Sequence, residues 1–325
     1  MFDHICAELK LGELTAAPLR LSGGYTHRIF RVETTLGTYA VKLLNPEIMQ
    51  RPDALDNYRA AETFEALLEQ NHLPILPALT IGESKLHCVN GQYLYVFDYF
   101  AGRALHEGEI SLKHCAKIGN VLARIHGVES PGHPQATDNA PVKEIPWREL
   151  GDTLLSSADA HAEGELMQAA APMLERVTAA AGDAARWLLP VTALCHNDMD
   201  PKNVLWRGDE FRIIDLECLG YADPRQELLD LAISWSGGDE RRFKAFVAAY
   251  YAAGGMRPAD ATLLYDSRRN DIDWLAYNAG RAMSGDPEER RTGREQVRMT
   301  LAKIEDDLCS REKVLRWMEE INMRP

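Results

Sequence analysis

A short stretch in the second half of the chain contains the polar residues best suited to chemistry. Asp198 is followed five positions later by Asn203, and Asp215 stands twelve positions beyond Asn203, directly after an apolar run. Phosphoryl transfer needs these groups, because one oriented carboxylate takes the proton of the attacking hydroxyl while oxygen ligands hold Mg²⁺ on the phosphates. Each residue alone would more often cap a loop or a turn. Together, at this spacing, they predict a phosphoryl-transfer site.

The same stretch resembles the motif of a known family. His196, Asp198 and Asn203 form a His-x-Asp-x-x-x-x-Asn pattern. Followed at this distance by an Ile-Asp pair, the pattern resembles that of the aminoglycoside phosphotransferase family, which is related to choline, ethanolamine and homoserine kinases. The resemblance implies transfer of the γ-phosphate of ATP or GTP, with Mg²⁺ as cofactor, to an alcohol group of a small molecule. It implies that Asp198 is the catalytic base and that His196 braces the catalytic loop, while Asn203 and Asp215 bind the metal.

Residues nearer the N-terminus fit nucleotide binding in the same fold. Lys42 lies in a predicted strand and Glu62 lies in the helix that follows, which matches the lysine–glutamate pair that orients nucleotide phosphates in kinase-like folds. Ser22, Gly23 and Gly24 stand where the resemblance implies a glycine turn over the phosphates. Two adjacent glycines would also suit a plain hairpin turn.

The elements that must position these groups follow from the apolar pattern. From about residue 18 to residue 99 the pattern has mainly period two, which predicts antiparallel strands, and one helix over residues 52–70 interrupts them. Beyond that region the pattern becomes helical, with Ser111 as the N-cap of the first helix. We therefore expect an α+β, protein-kinase-like fold with two lobes. The smaller lobe, at residues 1–97, would bind nucleotide on an antiparallel sheet with one main helix, and the mainly helical lobe, at residues 98–325, would contain the catalytic and acceptor sites.

The connection between the lobes is predicted at residues 98–102. Asp98, Tyr99 and Phe100 resemble the segment whose backbone N–H and C=O groups bind the edge of the purine in this fold. The pattern does not separate ATP from GTP.

Acidic residues downstream of Asp215 suggest roles in support and in acceptor binding. The resemblance implies that Asp230 bonds the backbone of the catalytic loop, and Glu217 is a candidate acceptor residue. In the family, the helical C-terminal region builds the acceptor pocket, and here Asp271, Asp273 and Trp274 are the candidates. Carboxylates beside an aromatic ring suit a cationic or polyhydroxylated ligand. The alternative is a helix that simply packs Trp274 into the core.

Charge and composition exclude several kinds of partner. The formal net charge of −13 repels nucleic-acid backbones and favours a cationic small molecule at long range. No run of about 18 apolar residues, as a membrane-spanning helix would need, occurs in the sequence. The six cysteines do not have the spacing of a zinc site. We therefore expect a cytoplasmic protein whose partners are a nucleotide and a small-molecule acceptor, with no nucleic acid and no membrane.

Alternatives remain for the activity and for the acceptor. A pseudokinase that only binds nucleotide is disfavoured because Lys42, Asp198 and Asp215 are all present. A protein kinase is disfavoured because no activation segment with an Ala-Pro-Glu-like end is recognisable. With Asn197, residues 196–198 read His-Asn-Asp, which resembles choline and ethanolamine kinases more than the His-Gly-Asp frequent in antibiotic kinases. The acceptor stays open between an aminoglycoside-like compound, which would imply antibiotic resistance, and a metabolite of the choline, ethanolamine or homoserine type.

Overall fold

A five-stranded antiparallel sheet forms the core of the N-terminal lobe in the computed structural model, which describes residues 1–21, 27–129, 144–188 and 190–322. Side chains on a strand alternate between the two faces of a sheet. Val41 and Val96 face each other on neighbouring strands and are fully buried, and the N-terminal helix α1 (Phe2–Glu8) covers them with Ile5 and Cys6. The strands, in the spatial order β1-β2-β3-β5-β4, are β1 (Leu19–Arg20), β2 (Arg28–Glu33), β3 (Thr38–Leu43), β4 (His87–Val89) and β5 (Gln92–Asp98).

Helix α3 (Ala54–Gln70), which follows the short helix α2 (Pro46–Met49), packs against the other face of this sheet. Its Tyr58 packs with Leu44 and Tyr95. Near its C-terminal end, Leu68 is fully buried in the core of the helical lobe. Helix α3 therefore contacts both lobes.

Among the described residues, two hydrophobic cores lie mainly in the C-terminal lobe. One lies between α4, α7, α8 and the end of α11, and the other lies between α5, α6, α10 and the first half of α11. At Gly119 in α4 a Cβ atom would lie 2.2 Å from the backbone oxygen of Phe246 in α8, so these two helices pack closely only because residue 119 has no side chain. The helices are α4 (Leu112–His126), α5 (Trp147–Leu155), α6 (His161–Trp187), α7 (Pro224–Ser236), α8 (Glu240–Ala252), α9 (Ala261–Asp266), α10 (Asn270–Arg281) and α11 (Pro287–Asn322).

Two pairs of short strands position the segments that contain the catalytic motif. Strand β6 (Ala193–Cys195) pairs with β9 (Gly220–Ala222), and β7 (Val204–Arg207) forms a hairpin with β8 (Glu210–Ile213). The catalytic loop, defined here as residues 196–203, joins β6 to β7, and residues 214–219 join β8 to β9. Because both segments are anchored at each end by strands, their polar side chains are held in fixed relative positions.

The predicted fold class is confirmed: an antiparallel sheet with one main helix precedes a mainly helical lobe. The hydroxyl of Ser111 accepts the backbone N–H of His114, as expected of the N-cap of α4. Strand β5 ends at Asp98, but the division at residues 97 and 98 stays a prediction. In the described ranges, no helix has both the length and the apolar character needed to span a bilayer.

Candidate active site

His196 links the catalytic loop to the end of β8. Its Nδ1 atom accepts the backbone N–H of Asp198 at 3.2 Å, and its Nε2 atom donates to the carbonyl oxygen of Ile214 at 3.1 Å. A neutral imidazole has one acceptor and one donor nitrogen, so the two contacts use both and fix the ring. The ring is also fully buried. His196 therefore holds Asp198 in register with Asp215, the residue after Ile214.

Glu227, in the first turn of α7, supports the same loop from below. Its carboxylate accepts the backbone N–H groups of His196 at 3.3 Å and Asn197 at 2.5 Å, and it lies 2.8 Å from Nε2 of His126. Burial alone would raise the pKa of Glu227, but the contacts with His126 and the backbone hydrogen bond lower it below its usual value. Sequence reasoning assigned no role to Glu227. Its position in the first helical turn after the Asp223-Pro224 pair could have indicated a carboxylate close to the preceding loop.

The predicted contact between Asp230 and the catalytic loop is wrong. Asp230 accepts hydrogen bonds from Nε of Arg268 at 2.5 Å and from Nδ2 of Asn270 at 2.7 Å, at the junction of α9 and α10. Asp230 lies three positions after Glu227, about one turn farther along α7. Glu227 thus reaches the loop backbone, whereas in the part of the chain that the structure describes no hydrogen bond joins Asp230 to it.

Both oxygens of Asp198 are held by neighbours within the catalytic loop. The Nδ2 group of Asn203 donates to Oδ2 and to the backbone oxygen of Asp198, at 2.8 Å each, and Nζ of Lys202 donates to Oδ1 at 2.8 Å. Burial raises the pKa of Asp198, while the Lys202 ammonium opposes that rise. Since the nitrogen of the Asn203 amide faces Asp198, its oxygen is the atom left for a cation. Lys202 lies within the predicted motif, but the sequence analysis assigned it no role.

Asp215 and Glu217 bring two carboxylates to the ammonium group of Lys42. Asp215 adopts a left-handed backbone conformation with φ of 67°, which aspartate tolerates better than most residues, and residues 216–218 then form a 3-10 turn. Lys42 makes ion pairs with both acids. Although burial alone would lower the pKa of Lys42, the two carboxylates raise it. The structure thus brings together Lys42 and Asp215, which are far apart in sequence.

The predicted ion pair between Lys42 and Glu62 is not formed. Glu62 instead accepts the hydroxyl of Tyr95 at 3.0 Å. Tyr95 of β5 is the direct cross-strand partner of Lys42 in β3, so the two side chains lie on the same face of the sheet. The Tyr95 phenol therefore binds Glu62 from the face of the sheet that also carries the Lys42 side chain. Within the described ranges, no hydrogen bond or ion pair joins Lys42 to Glu62.

His27 orients Glu217. Its Nδ1 atom accepts the backbone N–H of Asn45 at 3.0 Å, so in the neutral ring the hydrogen is on Nε2. That atom lies 3.1 Å from Oε1 of Glu217 and 3.2 Å from the hydroxyl of Tyr58. The structure places Glu217 with Lys42 and His27, and with none of the other residues predicted to bind the acceptor. No sequence signal pointed to His27.

Ser22, Gly23 and Gly24 lie outside the described residues. A glycine turn over the phosphates therefore stays a prediction.

The connection between the lobes leaves backbone groups for a purine. The N–H of Tyr99 donates to a backbone carbonyl of β3 at 3.1 Å. Since backbone groups alternate in direction along a strand, those of Asp98 point away from β3. The rings of Tyr99 and Phe100 lie under the guanidinium groups of Arg31 and Arg207, each 4.9 Å from the ring centroid. Purine binding by the backbone of residues 98–100 stays a prediction.

The predicted acceptor residues of α10 have partners within the helical lobe. In the described part of the chain, no hydrogen bond or ion pair connects them with the catalytic loop. Asp271 pairs with Lys303, Asp273 pairs with Arg269, and the Trp274 indole donates to Gln296 at 3.0 Å. The partners of Asp271 and Trp274 are on α11, but the Trp274 side chain is only half-buried, so acceptor binding by these three residues stays a prediction.

Asp271 nevertheless lines a cavity of about 390 Å³. The cavity lies between α6, α9, α10 and α11 and also reaches Asp230 on α7, whereas Asp273 and Trp274 do not line it. Its acidic side chains have basic partners, since Asp230 pairs with Arg268 and Asp271 with Lys303. The lining therefore offers both hydrogen-bond donors and acceptors to a polar molecule.

Several solved structures with a similar fold are described as small-molecule phosphotransferases or as members of small-molecule kinase families. A spectinomycin phosphotransferase in complex with ADP and spectinomycin is 15% identical, has a TM-score of 0.70, and matches over 91% of this chain and 93% of that chain. A choline/ethanolamine kinase family protein from Mesorhizobium loti is 18% identical, with a TM-score of 0.61 over 99% of both chains. A choline kinase from Streptococcus pneumoniae is 18% identical, with a TM-score of 0.55 over 92% of this chain and 98% of that chain. No curated protein matches the sequence.

The sequence itself matches a family description. The pattern of the phosphotransferase enzyme family, abbreviated APH, matches residues 19–262, which include β1 to β9, the catalytic loop, and α7 and α8. This range covers more than half of the chain and contains Lys42, Asp198, Asn203 and Asp215. The chain therefore belongs to the phosphotransferase enzyme family and is a phosphotransferase.

Proposed function

We propose that this enzyme transfers the γ-phosphate of ATP or GTP, with Mg²⁺, to a hydroxyl group of a small molecule. The observation that carries the proposal is the convergence of Lys42 from the sheet with Asp215 from the helical lobe, next to a loop in which Asp198 is fixed by hydrogen bonds. Phosphoryl transfer depends mainly on positioning and on compensating charge, and this arrangement supports both.

Asp198 is the proposed base. In the transfer, the acceptor oxygen bonds to the γ-phosphorus, the bond from that phosphorus to the β–γ bridging oxygen breaks, and the acceptor proton passes to the Asp198 carboxylate. The contacts with Asn203 and Lys202 fix the direction of that carboxylate, and His196 fixes its backbone. Orientation of this kind places the base before the acceptor arrives.

Asn203 and Asp215 are the proposed metal ligands. Amide and carboxylate oxygens suit Mg²⁺, and the Asn203 oxygen is directed away from Asp198 by the use of its nitrogen. Bound there, the metal would neutralise charge on the nucleotide phosphates. Lys42 would add a second positive charge at the same phosphates, since it already lies against Asp215.

The acceptor proposal keeps two classes of compound. A polyhydroxylated or cationic compound of the aminoglycoside type is supported by the cavity beside Asp271, whose paired acids and bases offer donors and acceptors. A metabolite alcohol of the choline, ethanolamine or homoserine type is supported by Asn197, which donates to the carbonyl oxygen of Cys218 at 2.9 Å and so links the catalytic loop to the segment after Asp215. The acidic net charge of −13 favours a cationic compound in both classes.

Turnover assays with one active-site variant test the proposal. The wild type should release ADP or GDP when Mg-ATP or Mg-GTP is supplied with a panel of aminoglycosides, spectinomycin, choline, ethanolamine, homoserine and sugars. Asp198→Asn should lower kcat about 10²- to 10⁴-fold, the usual contribution of a general base, while nucleotide affinity stays the same. The control is Asp209→Asn, at the exposed turn of the β7–β8 hairpin, which should behave as wild type. Activity of Asp198→Asn within a few-fold of wild type would show that Asp198 is not the base.

A further inference from the structure

Both glutamates of α3 that could have reached the nucleotide lysine are engaged elsewhere. Glu62 accepts the hydroxyl of Tyr95. Glu65 accepts the backbone N–H of Ala78 at 3.1 Å and pairs with Lys85. Since Glu65 is also buried at 5% exposure, it cannot turn toward Lys42 without leaving an N–H group unsatisfied. Helix α3 therefore does not supply the carboxylate that orients Lys42.

The carboxylate of Glu217 occupies that position instead. Both of its oxygens contact Nζ of Lys42, and the lysine side chain is only 6% exposed. A buried ammonium group needs a fixed partner of opposite charge, because its desolvation is otherwise uncompensated. Asp215 is a second partner, but it is also a proposed metal ligand. Glu217 is thus the contact that can persist when Asp215 turns to a metal.

Glu217 is itself held in place by the sheet lobe. His27 directs its Nε2 atom to Oε1 of Glu217 because its Nδ1 atom accepts the backbone N–H of Asn45. The imidazole is 7% exposed, so the ring cannot turn to solvent and lose this orientation. His27, directly before β2, and Lys42 of β3 therefore contact the same carboxylate.

We propose that Glu217, oriented by His27, is the residue that positions Lys42 on the nucleotide phosphates, in place of Glu62 of α3. The inference rests on the proposed function, because it assumes that Lys42 binds nucleotide. It gives His27 and Glu217 positioning roles, with no contact to the acceptor. It also makes the orientation of Lys42 depend on a residue of the opposite lobe.

Binding of ADP by calorimetry, in buffer with Mg²⁺ and in buffer with EDTA, tests the proposal. Glu217→Gln and Glu62→Gln are matched variants, because each replaces one carboxylate with an amide of the same shape. Glu217→Gln should raise the Kd of ADP about tenfold or more in both buffers, since a hydrogen bond between charged groups typically contributes a factor of this size. The increase in the Kd of ADP caused by Glu62→Gln should be several-fold smaller than that caused by Glu217→Gln. The same ranking should appear in the nucleotide KM, with the acceptor KM unchanged.

Two variants of His27 test orientation without removing a carboxylate. His27→Phe removes the donor to Glu217 and should weaken ADP binding, whereas His27→Gln keeps a side-chain N–H at a similar distance and should restore most of the affinity. This rescue distinguishes a positioning role from a general loss of stability. Thermal melts of each variant verify that the protein is folded.

Three results would overturn the inference. An equal or larger loss for Glu62→Gln would return the role to α3. A loss for Glu217→Gln that appears only with Mg²⁺ would make Glu217 a metal ligand rather than the partner of Lys42. Equal ADP affinity in Glu217→Gln and wild type would show that Lys42 needs no such partner. If the wild type itself binds no ADP in either buffer, the proposed function fails and the inference fails with it.

Discussion

Replacement of Glu227 by glutamine should destabilise the protein strongly, because this carboxylate is the acceptor for the start of the catalytic loop. It is 6% exposed and accepts the N–H groups of His196 and Asn197 in addition to its contact with His126. In Glu227→Gln one carboxylate oxygen becomes an NH₂ group, which is a donor. It would face the backbone N–H group of His196 or Asn197, which is also a donor. At least one buried N–H group is then left without an acceptor.

The size of the effect follows from these contacts. A hydrogen bond to a charged group contributes about 1.5–3 kcal/mol, and a buried N–H group left without an acceptor costs about 1–3 kcal/mol in addition. We therefore expect Glu227→Gln to lower the free energy of unfolding by about 3–5 kcal/mol at pH 7. This is a large share of the roughly 5–15 kcal/mol by which native proteins are stable. Urea unfolding, followed by circular dichroism, measures the difference.

The pH dependence has a definite sign. The contacts of Glu227 lower its pKa in the folded protein below its usual value. The stability it contributes is therefore fully present above the pKa of the unfolded chain, about 4.3, and is lost as the pH falls through the lower folded-state pKa. The difference between wild type and Glu227→Gln should shrink as the pH falls below about 4. An exposed control, Glu165→Gln on α6, should leave the unfolding midpoint unchanged. Equal stability of Glu227→Gln and wild type at pH 7 would refute the assignment of Glu227 as the support of the loop.

Two further predictions concern the proposed catalytic groups. Asp215→Asn should weaken ADP binding far more with Mg²⁺ than with EDTA, because the carboxylate is a proposed metal ligand; calorimetry in the two buffers decides it, and equal losses would exclude that role. Lys202→Met should lower kcat about tenfold or more with little change in nucleotide affinity, because it removes the cation 2.8 Å from Oδ1 of Asp198, and Lys202→Arg should retain more activity. Steady-state kinetics at saturating nucleotide measure both, and wild-type kcat in Lys202→Met would reduce this contact to an ordinary surface ion pair.

The relative placement of Asp198, Asn203 and Asp215 was predictable from sequence because their geometry is local. Asp198 and Asn203 lie in one short loop, and Asp215 follows the hairpin that begins at the next residue, Val204, so their spacing along the chain nearly fixes their spacing in the protein. The period-two pattern and the helical pattern also separate the two lobes. Both signals depend on short-range periodicity, which survives without knowledge of the tertiary structure.

The partners of these residues were less predictable because they depend on which way a helix faces. Glu227 and Asp230 are one turn apart on α7, and only the docking of that turn against β6 decides which one meets the loop. Likewise, Asp271 and Trp274 share a face of α10, but the partner of that face is α11, about 20 to 30 positions later. Spacing identifies residues on one face and leaves the neighbour of that face undetermined.

The predicted pairing of Lys42 with Glu62 failed for a related reason, and the partners that Lys42 has instead bear on how the lobes work together. Glu62 lies at the expected distance in α3, but its carboxylate accepts the hydroxyl of Tyr95, which is directly across the sheet from Lys42. Lys42 then takes its carboxylates from residues 215 and 217 of the other lobe. A second connection between the lobes joins Asn45 to Glu289, which also pairs with Arg281. Because both carboxylate partners of Lys42 belong to the helical lobe, a movement of one lobe against the other would change the position of Lys42 relative to Asp215. If Lys42 binds nucleotide as proposed, these ion pairs would couple nucleotide affinity to the orientation of the lobes.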